Sequence, residues 1–151
     1  MNLKDPRAKG CNWLMPYLTV SNVAESLKTY VAAFGFEAGP TLPGEDGSIL
    51  HGEVRYQGAT LVMFGPEGAW GSRKLTPRHG GFESPTGLYV YCDDVDSRFQ
   101  QAVDAGLRAI SPPHDMFWGD RTACVEDHDG YQWTLATHIV DFDPSQTPPP
   151  F

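Results

Sequence analysis

Residues 16–35 read PYLTVSNVAESLKTYVAAFG, and residues 88–106 read LYVYCDDVDSRFQQAVDAG. These two stretches decide the fold, because the second restates the first 72 positions further on. Each opens on a short run of β-branched, aromatic and aliphatic residues. Each then places a small polar residue ahead of apolar residues at helical spacing. Asn22 stands three before Glu25, a helix-start pattern, and Val23, Leu27, Tyr30, Val31 and Phe34 follow up to Gly35. Asp94 holds the matching place before Val95, Phe99, Ala102 and Val103, and Gly106 supplies the stop. The spacing predicts helices over 23–34 and 95–105. Gly58 and Gly130 are again 72 apart. A repeat of this length is two copies of one supersecondary unit, with a groove between the halves in which functional side chains are to be sought.

Working outward, strands are expected over 13–20, 36–42, 51–56 and 59–64, the last two joined by a hairpin turn at Gln57-Gly58. In the second copy they are expected over 87–92, 108–111, 121–126 and 131–138, with the last turn at Asp127-His128-Asp129-Gly130. Each copy reads strand, helix, strand, strand, strand. The reading is an α+β chain of two tandem βαβββ modules forming a curved mixed sheet around a cavity, with the helices on the outer face. Module one covers 13–64, a glycine- and proline-rich linker or lid covers 65–86, and module two covers 87–138. A polar arm (1–11) precedes them, and a proline-rich tail (139–151) runs extended along the surface.

Composition limits the partners. Eleven basic against nineteen acidic residues give a net charge of −8. Nucleic acid and anionic membranes are therefore not expected as partners, since both need clustered Lys and Arg. Cys11, Cys92 and Cys124 are odd in number and widely spaced, as reduced thiols of a cytoplasmic protein would be. There is no apolar run of membrane-spanning length, and the first residues lack the apolar stretch of a signal peptide.

Side chains alternate across a strand. One face carries Leu18, Val20, Leu61 and Met63 in the first copy, and Leu88, Val90, Trp133 and Leu135 in the second; it is expected under the helices. The other face carries Met15, Tyr17, Thr19, Thr60, Val62 and Phe64, then Gly87, Tyr89, Tyr91, Gln132, Thr134 and Ala136. A two-residue hairpin turn sets Arg55 opposite Thr60, Glu53 opposite Val62 and His51 opposite Phe64. A four-residue turn in the second copy sets Val125 against Gln132, Ala123 against Thr134 and Arg121 against Ala136. Apolar area with a few convergent polar groups suits a ligand cavity; a solvated or dimer-facing sheet surface is the competing reading.

Several of these segments together resemble a known family. PYLTV leading into a helix that ends in FG, VYCDDVD opening the second copy and VEDHDGYQWTL closing it are similar to the vicinal oxygen chelate superfamily. That superfamily holds glyoxalase I, bleomycin-resistance proteins, fosfomycin-resistance enzymes and extradiol dioxygenases. The likeness covers residues 13–138, and HGEV, FWGDR and LATH look closest to its PhnB-type branch. The resemblance implies paired modules around a cavity, with a divalent metal held by ligands from the first and last strands of each module. Those positions fall here on Met15, Val62, Gly87 and Thr134. None is a ligand for such a metal, which wants imidazole and carboxylate.

The expected function is therefore metal-independent binding of a small aromatic or cationic molecule, with no cofactor, by a homodimer. The expected ligand-binding residues are Tyr17, His51, Glu53, Arg55, Tyr89, Tyr91, Phe117, Trp118, Arg121, Gln132, Thr134 and His138. The competing expectation is an enzyme of lyase, isomerase or dioxygenase type. It would use a relocated divalent metal, or acid–base chemistry by His51 and Glu53. Asp93, Asp94 and Asp96 are read as helix-start residues, and His79, His114 and His128 as loop residues without a role. Phe117 to Arg121 reads as a cavity rim of stacked rings with an Asp120–Arg121 ion pair, or else as a packed strand entry with that pair as surface charge.

Overall fold

The computed structural model describes residues 4–146, 148 and 150. The chain divides between Gly80 and Gly81 into two compact units. The first contains β1 (Tyr17–Val20), α1 (Val23–Phe34), β2 (Glu37–Pro43), β3 (Ile49–Tyr56) and β4 (Ala59–Pro66). These strands form a mixed sheet in the order β1-β4-β3-β2, with β1 parallel to β4. A 3-10 turn (Ala69–Gly71) and the short α2 (Pro77–Gly80) follow. The second unit contains β5 (Leu88–Tyr91), α3 (Val95–Asp104), β6 (Arg108–Asp115), β7 (Asp120–Glu126) and β8 (Gln132–His138). Its sheet order, β5-β8-β7-β6 with β5 parallel to β8, repeats the first. The chain is thus α+β, two tandem βαβββ modules, each with its own four-stranded mixed sheet.

The helices start where the sequence placed them. The Asn22 side chain accepts from the Glu25 amide at 3.0 Å, and Asp94 accepts from Asp96 and Ser97 at 3.1 and 3.3 Å. Under α1 lie Val54, Val62 and Phe64, with the Tyr30 ring edge-on to Phe64 at 5.6 Å. The second core holds Val95, Ala102, Ala123, Val125, Trp133 and Leu135, all at most 1% exposed. Burial of each valine and leucine among them contributes about 1.5–3 kcal/mol, and of each alanine well below that.

Two register changes correct the sequence reading. In the first module the pairing steps from Arg55–Thr60 to Val54–Val62, so Leu61 is an extra residue in β4. This bulge inverts the parity of the strand beyond it. Val62 and Phe64, expected on the open face, lie beneath α1, while Met63, expected in the core, pairs with Tyr17 and Glu53. In the second module the last turn holds five residues between Glu126 and Gln132, not four. The Asp127 carboxylate accepts from the amides of Asp129 and Tyr131, both at 3.0 Å, which accommodates the extra residue. Ala123 and Val125 consequently pack with the core instead of lining the open face. Arg121 turns toward α3, and Asp120 takes the open face in its place.

Smaller differences follow from local chemistry. β6 runs on through Pro112 and Pro113 because it is an edge strand, where a missing amide donor is tolerated. The expected linker is partly structured: Glu67 accepts from the Thr76 amide at 2.7 Å and pairs with His79 at 2.8 Å. The amides of Ile139 and Val140 donate to the Gly119 carbonyl at 2.9 and 3.1 Å. Gly119 has a φ of +101° and no room for a Cβ, which would run into the Val140 carbonyl. No helix among the described residues is long and apolar enough to cross a membrane.

Candidate functional site

The open face of the first module carries a chain of hydrogen bonds. Its members come from adjacent strands, β1, β3 and β4. The Tyr17 hydroxyl lies 3.0 Å from His51 Nδ1, and His51 Nε2 lies 3.1 Å from Glu53 Oε1. Thr60 donates to Glu53 Oε2 at 3.3 Å. A carboxylate only accepts, so His51 carries its proton on Nε2 and takes the Tyr17 hydroxyl on Nδ1. Gly65 makes room for this: a Cβ there would stand 3.0 Å from the Tyr17 oxygen and 3.2 Å from the Leu50 carbonyl. Arg55 lies apart from this chain, its Nη2 donating to the Gly58 carbonyl at 3.3 Å beside Gly10.

The open face of the second module is organised by a residue that the sequence reading left out of the expected ligand-binding set. Asp120 is 3% exposed. Its Oδ2 accepts from the hydroxyls of Tyr89 at 2.6 Å and Tyr91 at 2.9 Å, and its Oδ1 accepts from His138 Nδ1 at 2.8 Å. His138 Nε2 lies 3.2 Å from Asp141 Oδ1. Both ring nitrogens thus face carboxylates, which is the arrangement of an imidazolium. Its pKa is raised by Asp120 first and Asp141 second. The Asp120 carboxyl is held below the usual range, chiefly by the Tyr89 hydroxyl. The Tyr89 phenol is pushed up to about 12, by burial first and then by Asp120. The Trp118 indole donates to the Tyr89 oxygen at 3.4 Å.

Beside this network lies a cavity of about 220 Å³, lined among others by Tyr89, His114, Met116, Trp118, Cys124 and Thr134. Burial raises the pKa of the Cys124 thiol, so it stays protonated near neutrality. Phe117 packs edge-on against Trp118 at 5.1 Å and against Phe142 at 6.2 Å.

Of the residues picked from sequence, the structure brings Tyr17, His51 and Glu53 together in one module. It brings Tyr89, Tyr91, Trp118 and His138 together in the other. Thr134 lines the cavity, while Gln132 donates to Glu83 at 3.4 Å. Arg121 is the clear correction. Its guanidinium forks onto Asp96 of α3 at 2.7 and 2.9 Å and onto Asp115 at 2.8 Å, away from the tyrosines. Asp120 and His114 were missed. The five-residue turn that moves Asp120 to the open face depends on Asp127, whose role as a turn acceptor only the folded chain displays.

Comparison with known proteins agrees with this fold. The family model of the Glyoxalase/Bleomycin resistance protein/Dioxygenase superfamily matches residues 10–135, and the chain belongs to that superfamily. Uncharacterized proteins of Mycobacterium tuberculosis and Mycobacterium bovis are 33% identical to it over 128 residues. That stretch is 83% of this chain and 74% and 83% of theirs, respectively. Among solved structures, TioX from Micromonospora sp. ML1 is similar with a TM-score of 0.64 at 24% identity, over 83% of this chain and 98% of that one. A glyoxalase/bleomycin resistance protein/dioxygenase family enzyme from Burkholderia phytofirmans is similar with a TM-score of 0.61 at 14% identity. It covers 88% of this chain and 100% of its own. These structural likenesses carry the fold.

The divalent metal that the resemblance implies does not fit the residues present. The bulge replaces Val62 by Met63 on the open face, beside Tyr17. Met15, Met63, Gly87 and Thr134 still offer no imidazole or carboxylate. Among the described residues, no three His, Cys, Asp or Glu side chains gather as metal ligands do. Asp120 and Asp141 meet His138 through different ring nitrogens, so the imidazole stands between them.

Proposed function

We propose that the protein binds a small aromatic or cationic molecule without a metal, and that the second module holds the site. The observation that carries this reading is the Asp120 network. Both tyrosine hydroxyls are spent as donors on one buried carboxylate. The Tyr89 oxygen is left as an acceptor, taking the indole of Trp118 and lining a cavity with aromatic and sulfur-bearing side chains. Ring faces attract a cation by about 0.5–2 kcal/mol per contact, and the net charge of −8 draws cations to the whole chain. The departure of Arg121 to α3 removes the group that would have favoured an anion. The test is calorimetric titration of chelator-treated protein with a panel of small aromatic cations and neutral analogues. Saturable one-site binding that Trp118→Leu abolishes is expected. Binding that appears only after loading with zinc, nickel, manganese or iron would overturn the reading.

A second reading is catalytic, and the Tyr17–His51–Glu53 chain favours it. Glu53 orients the ring, and His51 is placed to take a proton from Tyr17, the order of groups found where a nucleophile or base is activated. A deuterium-exchange screen of carbon acids decides it. Exchange lost in His51→Ala and Glu53→Gln supports proton transfer, and a silent wild type removes it. The PhnB-type branch is the subgroup we favour, on the HGEV, FWGDR and LATH segments. A cytoplasmic homodimer is the corresponding proposal for assembly and location.

A further inference from the structure

The donors and acceptors around the second-module cavity can be counted one by one, and they narrow the ligand class. This inference rests on the binding reading above. The Tyr89 hydroxyl proton goes to Asp120 at 2.6 Å. The Trp118 indole proton goes to the Tyr89 oxygen at 3.4 Å. His114 Nδ1 lies 2.8 Å from the Pro112 carbonyl, which only accepts, so that nitrogen carries the proton and a neutral ring keeps its lone pair on Nε2. The three fixed N–H and O–H donors among these lining side chains are thus already engaged.

What remains is accepting or adaptable. Tyr89 keeps a lone pair, and Met116 and Cys124 present sulfur. The hydroxyls of Ser111, Thr122 and Thr134 can rotate to accept. Next to this lining the buried Asp120 pairs with the His138 imidazolium, and the solvent-exposed Asp141 adds a second carboxylate, so the charges of the cluster sum to minus one. A carboxylate or phosphate would find donors only in those three hydroxyls and would face a cluster of net negative charge. A quaternary ammonium would meet rings but leave the acceptors without partners, which is costly where water is displaced. A planar cation that bears N–H groups satisfies both. The volume, about 220 Å³, lies below the roughly 300–1,000 Å³ of sites for drug-sized ligands, so one ring with a short substituent is the matching size.

We infer that this cavity takes a single-ring molecule carrying a planar N–H-bearing cation, such as an amidinium or guanidinium. The experiment titrates the intact protein with benzamidinium, phenyltrimethylammonium, benzamide and benzoate, reading heat and the indole resonance of Trp118. Benzamidinium is expected to bind at least tenfold more tightly than phenyltrimethylammonium and benzamide, with no binding of benzoate. Tyr89→Phe, which deletes the accepting oxygen and keeps the ring, is expected to weaken benzamidinium about tenfold more than it weakens phenyltrimethylammonium. Equal affinity of the two cations overturns the N–H assignment while leaving the aromatic-cation reading intact. Tighter binding of benzamide or benzoate overturns the charge assignment. Failure of all four to bind removes the underlying reading together with this one.

Discussion

Replacing Asp120 by Asn isolates the charge at the centre of the second-module network. The carboxylate is 3% exposed, and its partners Tyr89 and Tyr91 are 47% and 55% exposed. An asparagine of the same shape can accept both phenols at one end and donate to a neutral His138 at the other, so the number of hydrogen bonds survives. What disappears is charge assistance. Hydrogen bonds to a charged group are worth about 1.5–3 kcal/mol against roughly 0.5–1.5 for neutral ones, so the bonds from Tyr89, Tyr91 and His138 set a ceiling of about 3–4.5 kcal/mol for the whole carboxylate. Water at the half-exposed partners screens part of this, leaving about 1.5–2 kcal/mol. At roughly 2–4 °C per kcal/mol the melting temperature should fall by about 3–8 °C. The pH dependence has a definite sign. The folded pKa of His138 is raised, through Asp120 first. Its stabilisation is therefore complete below the unfolded value and is lost as pH rises through the folded one. The folded pKa of Asp120 is lowered, so its contribution is present above the unfolded value and is lost as pH falls through the folded one. The difference between wild type and variant should thus be larger near about pH 6 than near about pH 9. Urea unfolding at both pH values, with a proton NMR titration of His138, measures it. An unchanged unfolding midpoint together with an unchanged His138 titration would refute the reasoning.

Three further outcomes are expected. Asp127→Ala should cost about 3–5 kcal/mol, because the amides of Asp129 and Tyr131 and the indole of the buried Trp133 all lose their acceptor; an unfolding free energy within about 1 kcal/mol of wild type would count against the turn. Gly65→Ala should destabilise by about 1–2 kcal/mol and shift the ring resonances of Tyr17 and His51, since the added methyl meets the Tyr17 oxygen and a backbone carbonyl; unshifted resonances would show that the contact is absent. Arg121→Ala should lower the melting temperature slightly through loss of its pairs with Asp96 and Asp115, while leaving ligand affinity unchanged; a drop in affinity measured by calorimetry would return Arg121 to the site.

The doubled architecture was legible because its signals are local. Asn22 and Asp94 cap the helices they precede, and of the apolar residues spaced after each, Val23, Tyr30, Phe34, Val95 and Ala102 are buried while Val31 stays exposed. Leu18, Val20, Leu88, Val90, Trp133 and Leu135 all proved to be core, as alternation required. The resemblance to the superfamily rested on the same segments. The absence of imidazole and carboxylate at its metal positions was also plain in the residues and survives the change from Val62 to Met63.

The composition of the site could not be read with the same reliability, and the reason is geometric. A side chain's face depends on the count of residues between it and its pairing partner, and one extra residue reverses every assignment beyond it. Leu61 bulges from β4 and exchanges Val62 for Met63. The extra residue in the turn after β7 exchanges Arg121 for Asp120. The sequence by itself determined two modules, their helices and most of their core. Only the tertiary structure decided that a buried carboxylate, rather than a guanidinium, stands behind the tyrosines, because that choice is made by strand pairing and a turn hydrogen bond rather than by any residue's own preference.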